Sequence, residues 1–214
     1  MGRGPVGEPA IIRYVNNSLA SVTDVSNTDG AMILIKTLTA SSSSTLSFVD
    51  GTSDVVLDNT YPIYKFIWTN VHPSADAAKL QFQGNAAGGS GYNETITSTF
   101  FYGVHTENDG TATVAYDADN DLAQGTSFQP LIGSVGNGND ESCSGELMLF
   151  NPSSTTFAKH FIARTSGYYH GDGNSDSYAA GYFNTTSAID EIQFKMSSGD
   201  IDSGTIKLYG IKDS

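Results

Sequence analysis

Residues 188–211 read AIDEIQFKMSSGDIDSGTIKLYGI, and this stretch decides the fold class. Ile192, Phe194 and Met196 alternate with Glu191, Gln193 and Lys195, so one face is apolar and the other polar. That period of two marks a half-buried β-strand; a helix would repeat its apolar residues at three and four. After the turn signal Ser198-Gly199-Asp200 the alternation resumes. Ile206, Leu208 and Gly210 point one way, and Lys207, Tyr209 and Ile211 the other. The segment is therefore strand, turn, strand.

Upstream the same signals recur every ten to twenty residues. Apolar or alternating runs cover 31–38, 45–49, 54–57, 63–71, 80–83, 95–103, 111–116, 146–150, 157–163 and 178–183. Between them lie clusters of Gly, Asn, Asp and Ser, at 50–51, 85–91, 108–110, 136–140 and 171–176. A single helical turn is expected at 73–79, where Pro73 sits at a first helical position and Ser74 or Asp76 caps it. A dozen short strands with almost no helix predict an all-β fold, an antiparallel β-sandwich or jelly roll. Residues 31–214 form its single domain. Residues 1–30 read as an extended N-terminal arm and linker, with Gly2, Gly4, Pro5, Gly7 and Pro9 ahead of one short apolar run at 11–15.

Composition agrees. Ser, Thr, Asn and Gly fill 84 of 214 positions, while only 15% are charged. A coiled coil or helical bundle would need Ala, Glu, Lys and Leu at helical spacing. A disordered chain would be poor in the aromatic and β-branched residues that are spread along this one. The net charge of −13, with ten scattered Lys and Arg, argues against nucleic-acid binding, which needs clustered cations. No apolar run is long enough to span a membrane or to act as a signal peptide, and the single Cys143 cannot close an intrachain disulfide. The expected site of synthesis is a cytoplasm.

The chain shows no catalytic motif. His72, His105, His160 and His170 lack metal-ligand spacing, and there is no GxSxG, Walker or dinucleotide fingerprint. The reading is of a protein that is not an enzyme and takes no cofactor. Two acidic loops, 117–121 and 172–176, partly match a calcium loop. Both place oxygens at alternate positions but have Leu122 or Ser177 where a calcium loop has Gly, and Phe128 or Phe183 where it has Glu. Asx-rich turns form for local hydrogen-bonding reasons as well. Tyr168, Tyr169 and His170 stand beside a Gly/Asp/Asn/Ser stretch, the composition of adaptable binding loops. With Asp172 and Asn174 they form the candidate glycan-binding set; the competing reading is that these tyrosines lid the core.

The C-terminal stretch resembles the closing strands of virion structural proteins of tailed bacteriophages, notably marine and cyanobacterial ones. Those chains end in G-x-[IF]-x-x-G-x-I-x-L-[YF]-G-I, and Gly199, Ile201, Gly204, Ile206, Leu208, Tyr209, Gly210 and Ile211 fill its fixed places. Segments 64–73, 79–83 and 147–152 are similar to that group as well, so the resemblance covers about residues 31–211. It implies a non-enzymatic jelly-roll subunit located in the virion, such as a tail-fibre or spike part or a head or tail decoration. The implied partners are other virion proteins (capsid, portal or adaptor, tail), further copies in a homo-oligomer, and a host surface glycan. Docking would run through the arm, with Ile11, Ile12, Tyr14 and Val15 adding a strand to a neighbour. The alternative is a carbohydrate-binding module that recognises host glycans through its aromatic and Asn/Asp-rich loops.

Overall fold

The computed structural model describes residues 13–15, 18–21 and 31–212. The chain divides into two compact units, Met1–Gly30 and Ala31–Ser214. In the first, β1 (Arg13–Val15) and β2 (Ser18–Ser21) pair antiparallel, with Tyr14 opposite Leu19 and Val15 opposite Ser18. Tyr14 and Val15 therefore already have one strand neighbour. Ile11 and Ile12 lie outside the described residues.

The second unit is all-β, and no helix occurs among its described residues. Its strands are β3 (Met32–Thr39), β4 (Leu46–Val49), β5 (Ile63–Pro73), β6 (Leu80–Ala86), β7 (Ile96–Thr106) and β8 (Ala112–Tyr116). They continue with β9 (Gln129–Pro130), β10 (Cys143–Phe150), β11 (Lys159–Tyr169), β12 (Gly173–Phe183), β13 (Ile189–Met196) and β14 (Ile201–Ile211). An eight-stranded sheet has the order β3-β14-β5-β10-β11-β12-β7-β8, and a four-stranded sheet the order β4-β13-β6-β9. Every pairing is antiparallel.

This connectivity is that of a jelly roll with two inserted hairpins. The strands β3, β14, β5 and β10 form one four-stranded layer, and β4, β13, β6 and β9 form the layer facing it. The first four strands alternate between layers, and the last two return between them: β14 enters between β3 and β5, β13 between β4 and β6. The pair β7–β8 is inserted between β6 and β9, and β11–β12 between β10 and β13. Both insertions extend the large sheet beyond β10, so it overhangs the small one. Residues 117–135 cover that overhang, with Leu131, Ile132 and Val135 fully buried.

Phe194 on β13 lies at the centre of the core. Its ring meets Phe66 at 5.4 Å, Phe48 at 6.2 Å, and Trp68 and Phe82 at 6.3 Å, a cluster drawn from both sheets. The alternation read in 191–196 is realised in full: Ile192, Phe194 and Met196 are buried, while Glu191, Gln193 and Lys195 are partly exposed.

Three local expectations differ from the structure. Residues 73–79 make no helical turn; Pro73 ends β5, Ala77 adopts φ +55°, and the Ser74 hydroxyl accepts the Asp200 N–H at 2.8 Å. Residues 54–57 are not a strand, although Val55 and Leu57 are buried; the Asp50 carboxylate accepts the Leu57 N–H at 2.8 Å. The polar run at 171–176 is only partly a turn, because Gly173 to Asp176 open the eleven-residue β12.

Candidate functional site

Only one face of the large sheet packs on the small sheet, and strand alternation decides which side chains stand on the other. On β11, Lys159, Phe161, Ala163, Thr165 and Gly167 are buried, whereas His160, Ile162, Arg164 and Ser166 are exposed. The register then lines up the outward residues in rows across the strands. One row is Glu146, Arg164, Tyr178, Phe101 and Tyr116; the next is Ser144, Ser166, Asp176, Gly103 and Val114; the next is Tyr168, Asn174, His105 and Ala112.

These rows differ in height, and the difference makes a trough. In the middle row Ser144 on β10, Ser166 on β11 and Gly103 on β7 are short and form a floor, while its Asp176 is tied to Arg164 of the first row. The first row is a wall. The Arg164 guanidinium lies over the Tyr178 ring at 5.1 Å, and Tyr178 stacks on Phe101 at 4.8 Å with planes 5° apart. The opposite wall is Tyr168, His105 and the loop carrying Asp140 and Ser142. One lobe, of about 760 Å³, runs from Ser144 and Ser166 to His105 and Asp109. A second, of about 640 Å³, runs from the same two serines towards Ile67 and Glu146. Both lobes are lined by Asn174, so they form one trough crossing the strands.

The polar groups are held in place by one another. Asp176 accepts from Arg164 Nε at 3.1 Å, from an Arg164 terminal nitrogen at 2.7 Å and from the Tyr178 hydroxyl at 3.0 Å. The Arg164 hydrogen bond, opposed by partial burial and reinforced by that of Tyr178, holds the Asp176 carboxyl below the ordinary carboxylate range. Its bond to Asp176 raises the Tyr178 phenol in turn. The Ser166 hydroxyl donates to Asn174 Oδ1 at 3.0 Å, and the Ser144 hydroxyl accepts the Asn70 N–H at 3.0 Å. The Tyr168 hydroxyl reaches Glu107 Oε1 at 3.3 Å, and His105 Nε2 meets Asp109 at 2.9 Å.

The candidate glycan residues divide. Tyr168 and Asn174 are directly opposite in the β11–β12 register and both line the trough. Tyr169 and His170 line a separate cavity of about 410 Å³, with Tyr102, Asp117, Asn120 and Ser134. Adjacent residues of a strand face opposite sides of the sheet, so Tyr168 and Tyr169 cannot share one site. His170 Nδ1 is 2.8 Å from the Ser134 hydroxyl. Asp172 lies in the β11–β12 turn at φ +54°, its carbonyl accepting the Glu107 N–H at 2.9 Å, and it lines neither cavity. Reading the sequence missed Ser144, Ser166, His105 and Arg164. Only the Arg164 and Asp176 alternation across two strands could have signalled them, and that needs the register.

In the two acidic loops the side-chain oxygens of Asp117, Asp121 and Asp176 are committed within the protein. Asp117 accepts from the Asp119 N–H at 3.0 Å and from Asn120 Nδ2 at 2.6 Å, the Asp121 carboxylate accepts the Tyr116 hydroxyl, and Asp176 is held by Arg164. No group of three His, Cys, Asp or Glu that could hold a metal occurs among the described residues.

Fold and site together define a jelly-roll β-sandwich with an open, trough-bearing sheet face. Comparison with known proteins finds no matching family model, no matching curated protein and no matching solved structure.

Proposed function

We propose that this chain is a non-enzymatic structural protein of a tailed-bacteriophage virion, an appendage or decoration subunit that assembles with other virion proteins and with further copies of itself. The observation that supports this reading is where the C-terminal pattern falls. Its residues build β14, a strand inserted between β3 and β5 near the middle of the jelly roll. Ile201, Ile206 and Leu208 are fully buried, and Gly210 is buried. Gly204 has φ +110° and sits at an irregularity in the β5 pairing, not in a turn. The resemblance thus rests largely on residues of a strand that is built into the core.

The surface suits assembly. Met32, Leu34, Phe101, Val114, Tyr116 and Ile162 are large, apolar and exposed, all on strands of the large sheet. Edge strand β8 (ATVAY) carries no charge and no proline, the features that usually block edge pairing. Docking through the arm is part of the same proposal. A particle lacking residues 1–17 of this chain should not incorporate it, while the purified truncated chain keeps its native thermal transition. Normal incorporation of the truncated chain would overturn arm docking, and absence of the full chain from purified particles would overturn the virion assignment.

The alternative, a carbohydrate-binding role, has its own support in the shared position of Tyr168 and Asn174 along the trough.

A further inference from the structure

We propose that the trough on the large sheet binds an extended, uncharged polysaccharide lying across the strands, with Tyr168, Asn174, Ser166 and the Arg164–Asp176 pair as its contact residues. This rests on and deepens the carbohydrate-binding reading and does not depend on particle assembly.

Dimensions come first. The trough crosses from β5 to β7, five adjacent strands, which at the usual strand spacing is about 19 Å. That length suits several linked sugars in a row and is excessive for one small metabolite. Its depth is set by side-chain choice: the next outward positions on the same strands are Glu146 and Arg164, while the floor has Ser144 and Ser166.

The chemistry then selects the ligand. In β10, β11 and β12 the backbone groups are used in ladders on both sides. A peptide laid across them would find no backbone partner for its own N–H and C=O groups, so strand addition is closed to it. A polyhydroxyl chain needs side-chain partners that both donate and accept, and the trough offers hydroxyls, an amide, a carboxylate and a guanidinium. The Asn174 Nδ2 has no protein partner among the described residues, and Asp176 and Arg164 hold each other in one orientation, so little side-chain freedom is lost on binding. The Tyr168 ring, tied through its hydroxyl to Glu107, offers a flat apolar surface to the C–H face of a sugar.

Charge excludes the acidic polymers. Glu107, Asp109, Asp140, Glu146 and Asp176 line the trough; Lys65 pairs with Glu146 at 2.6 Å, Arg164 with Asp176 at 2.7 Å and His105 with Asp109 at 2.9 Å, which leaves Glu107 and Asp140 without a cationic partner among the described residues. Phosphate, sulfate and uronate chains would meet repulsion in the lobe lined by Glu107, Asp109 and Asp140.

The test uses the purified full chain in affinity electrophoresis and calorimetry against laminarin, mannan and dextran as neutral probes and alginate as the acidic one. The expected result is retardation by at least one neutral polysaccharide, no competition by alginate, and a tenfold or greater loss of affinity in both Tyr168→Ala and Asn174→Ala. Ser166→Tyr, which fills the floor, should abolish retardation. Phe157→Ala, an exposed residue away from the trough, should leave it unchanged. Circular dichroism of each variant confirms the fold. Failure to bind any neutral probe, preference for alginate, or full binding by folded Ser166→Tyr would overturn the proposal. A particle protein that binds no polysaccharide fails this inference alone, and a polysaccharide binder absent from particles fails only the virion assignment.

Discussion

Replacing Gly204 by alanine tests whether the C-terminal pattern is structural. Gly204 sits in β14 at φ +110°, opposite Asn70 and Val71 of β5. A Cβ there would stand 2.5 Å from the Asn70 carbonyl oxygen, 2.7 Å from Val71 Cα and 2.9 Å from the Asn70 carbonyl carbon. All three are backbone atoms of a paired strand, so no side chain can turn aside to make room. The unfavourable backbone conformation costs about 1–3 kcal/mol, and forcing the strands apart costs about 1–3 kcal/mol more. Gly51 is the control: it also has positive φ, +70°, but a Cβ there meets nothing within 4 Å. Gly51→Ala should cost only about 1–2 kcal/mol. For a domain of this size each kcal/mol moves the melting temperature by about 2–4 °C. Gly204→Ala should therefore melt about 4–24 °C lower, and Gly51→Ala about 2–8 °C lower. Trp68, the only tryptophan and fully buried, reports the transition by its fluorescence. If the two variants melt together, the close approach of β14 to β5 is not what requires glycine and the reasoning fails.

Other outcomes follow from burial and charge. Burial pushes the Cys143 thiol up from 9.0 to about 12, so it should resist a thiol reagent in the folded protein and react on unfolding; fast labelling of the native chain would contradict its place in the core. Lys159 is fully buried and its Nζ donates to the Thr185 carbonyl at 3.1 Å; burial, only partly offset by Glu94, holds its pKa below the ordinary 10.5. The charged form is therefore disfavoured by folding, and stability gained from deprotonation rises as pH climbs through the folded value towards 10.5. Lys159→Met should be more stable than the native chain at neutral pH, with the gap closing at alkaline pH in denaturant titrations; a gap independent of pH would refute this. Incubation with the polysaccharide that the chain binds should release no reducing ends, and their steady release would overturn the non-enzymatic reading.

What could be read in the sequence depended on whether a strand's two faces differ. β13 was legible because Phe194 and its apolar companions face the core while Glu191 and Lys195 face water. The first half of β11 was legible for the same reason. Its second half was not: Thr165 and Gly167 point inward and Ser166 outward, so both faces are small or polar and the alternation disappears. Gly173, Asn174, Ser175 and Asp176 look like a loop for the same reason, yet they are strand. Those residues are the floor and flank of the trough, so the local strand signal is lost where the candidate site is built. Tyr168 and Asn174 stood out by composition, but their partners did not, since Ser144, His105 and Asp140 come from distant segments and meet only through register. The Gly-rich cluster at 85–91 ends β6 of the small sheet and begins the link to β7 of the large one.

The most direct test of the proposed virion role is to give the chain a C-terminal gold-binding tag and to image the particles purified from the lysate in which it is made. The account predicts label at fixed, repeated positions on the head, collar, tail or fibre of intact particles. Particles that carry no label, while the tagged chain accumulates free in the lysate, would contradict it.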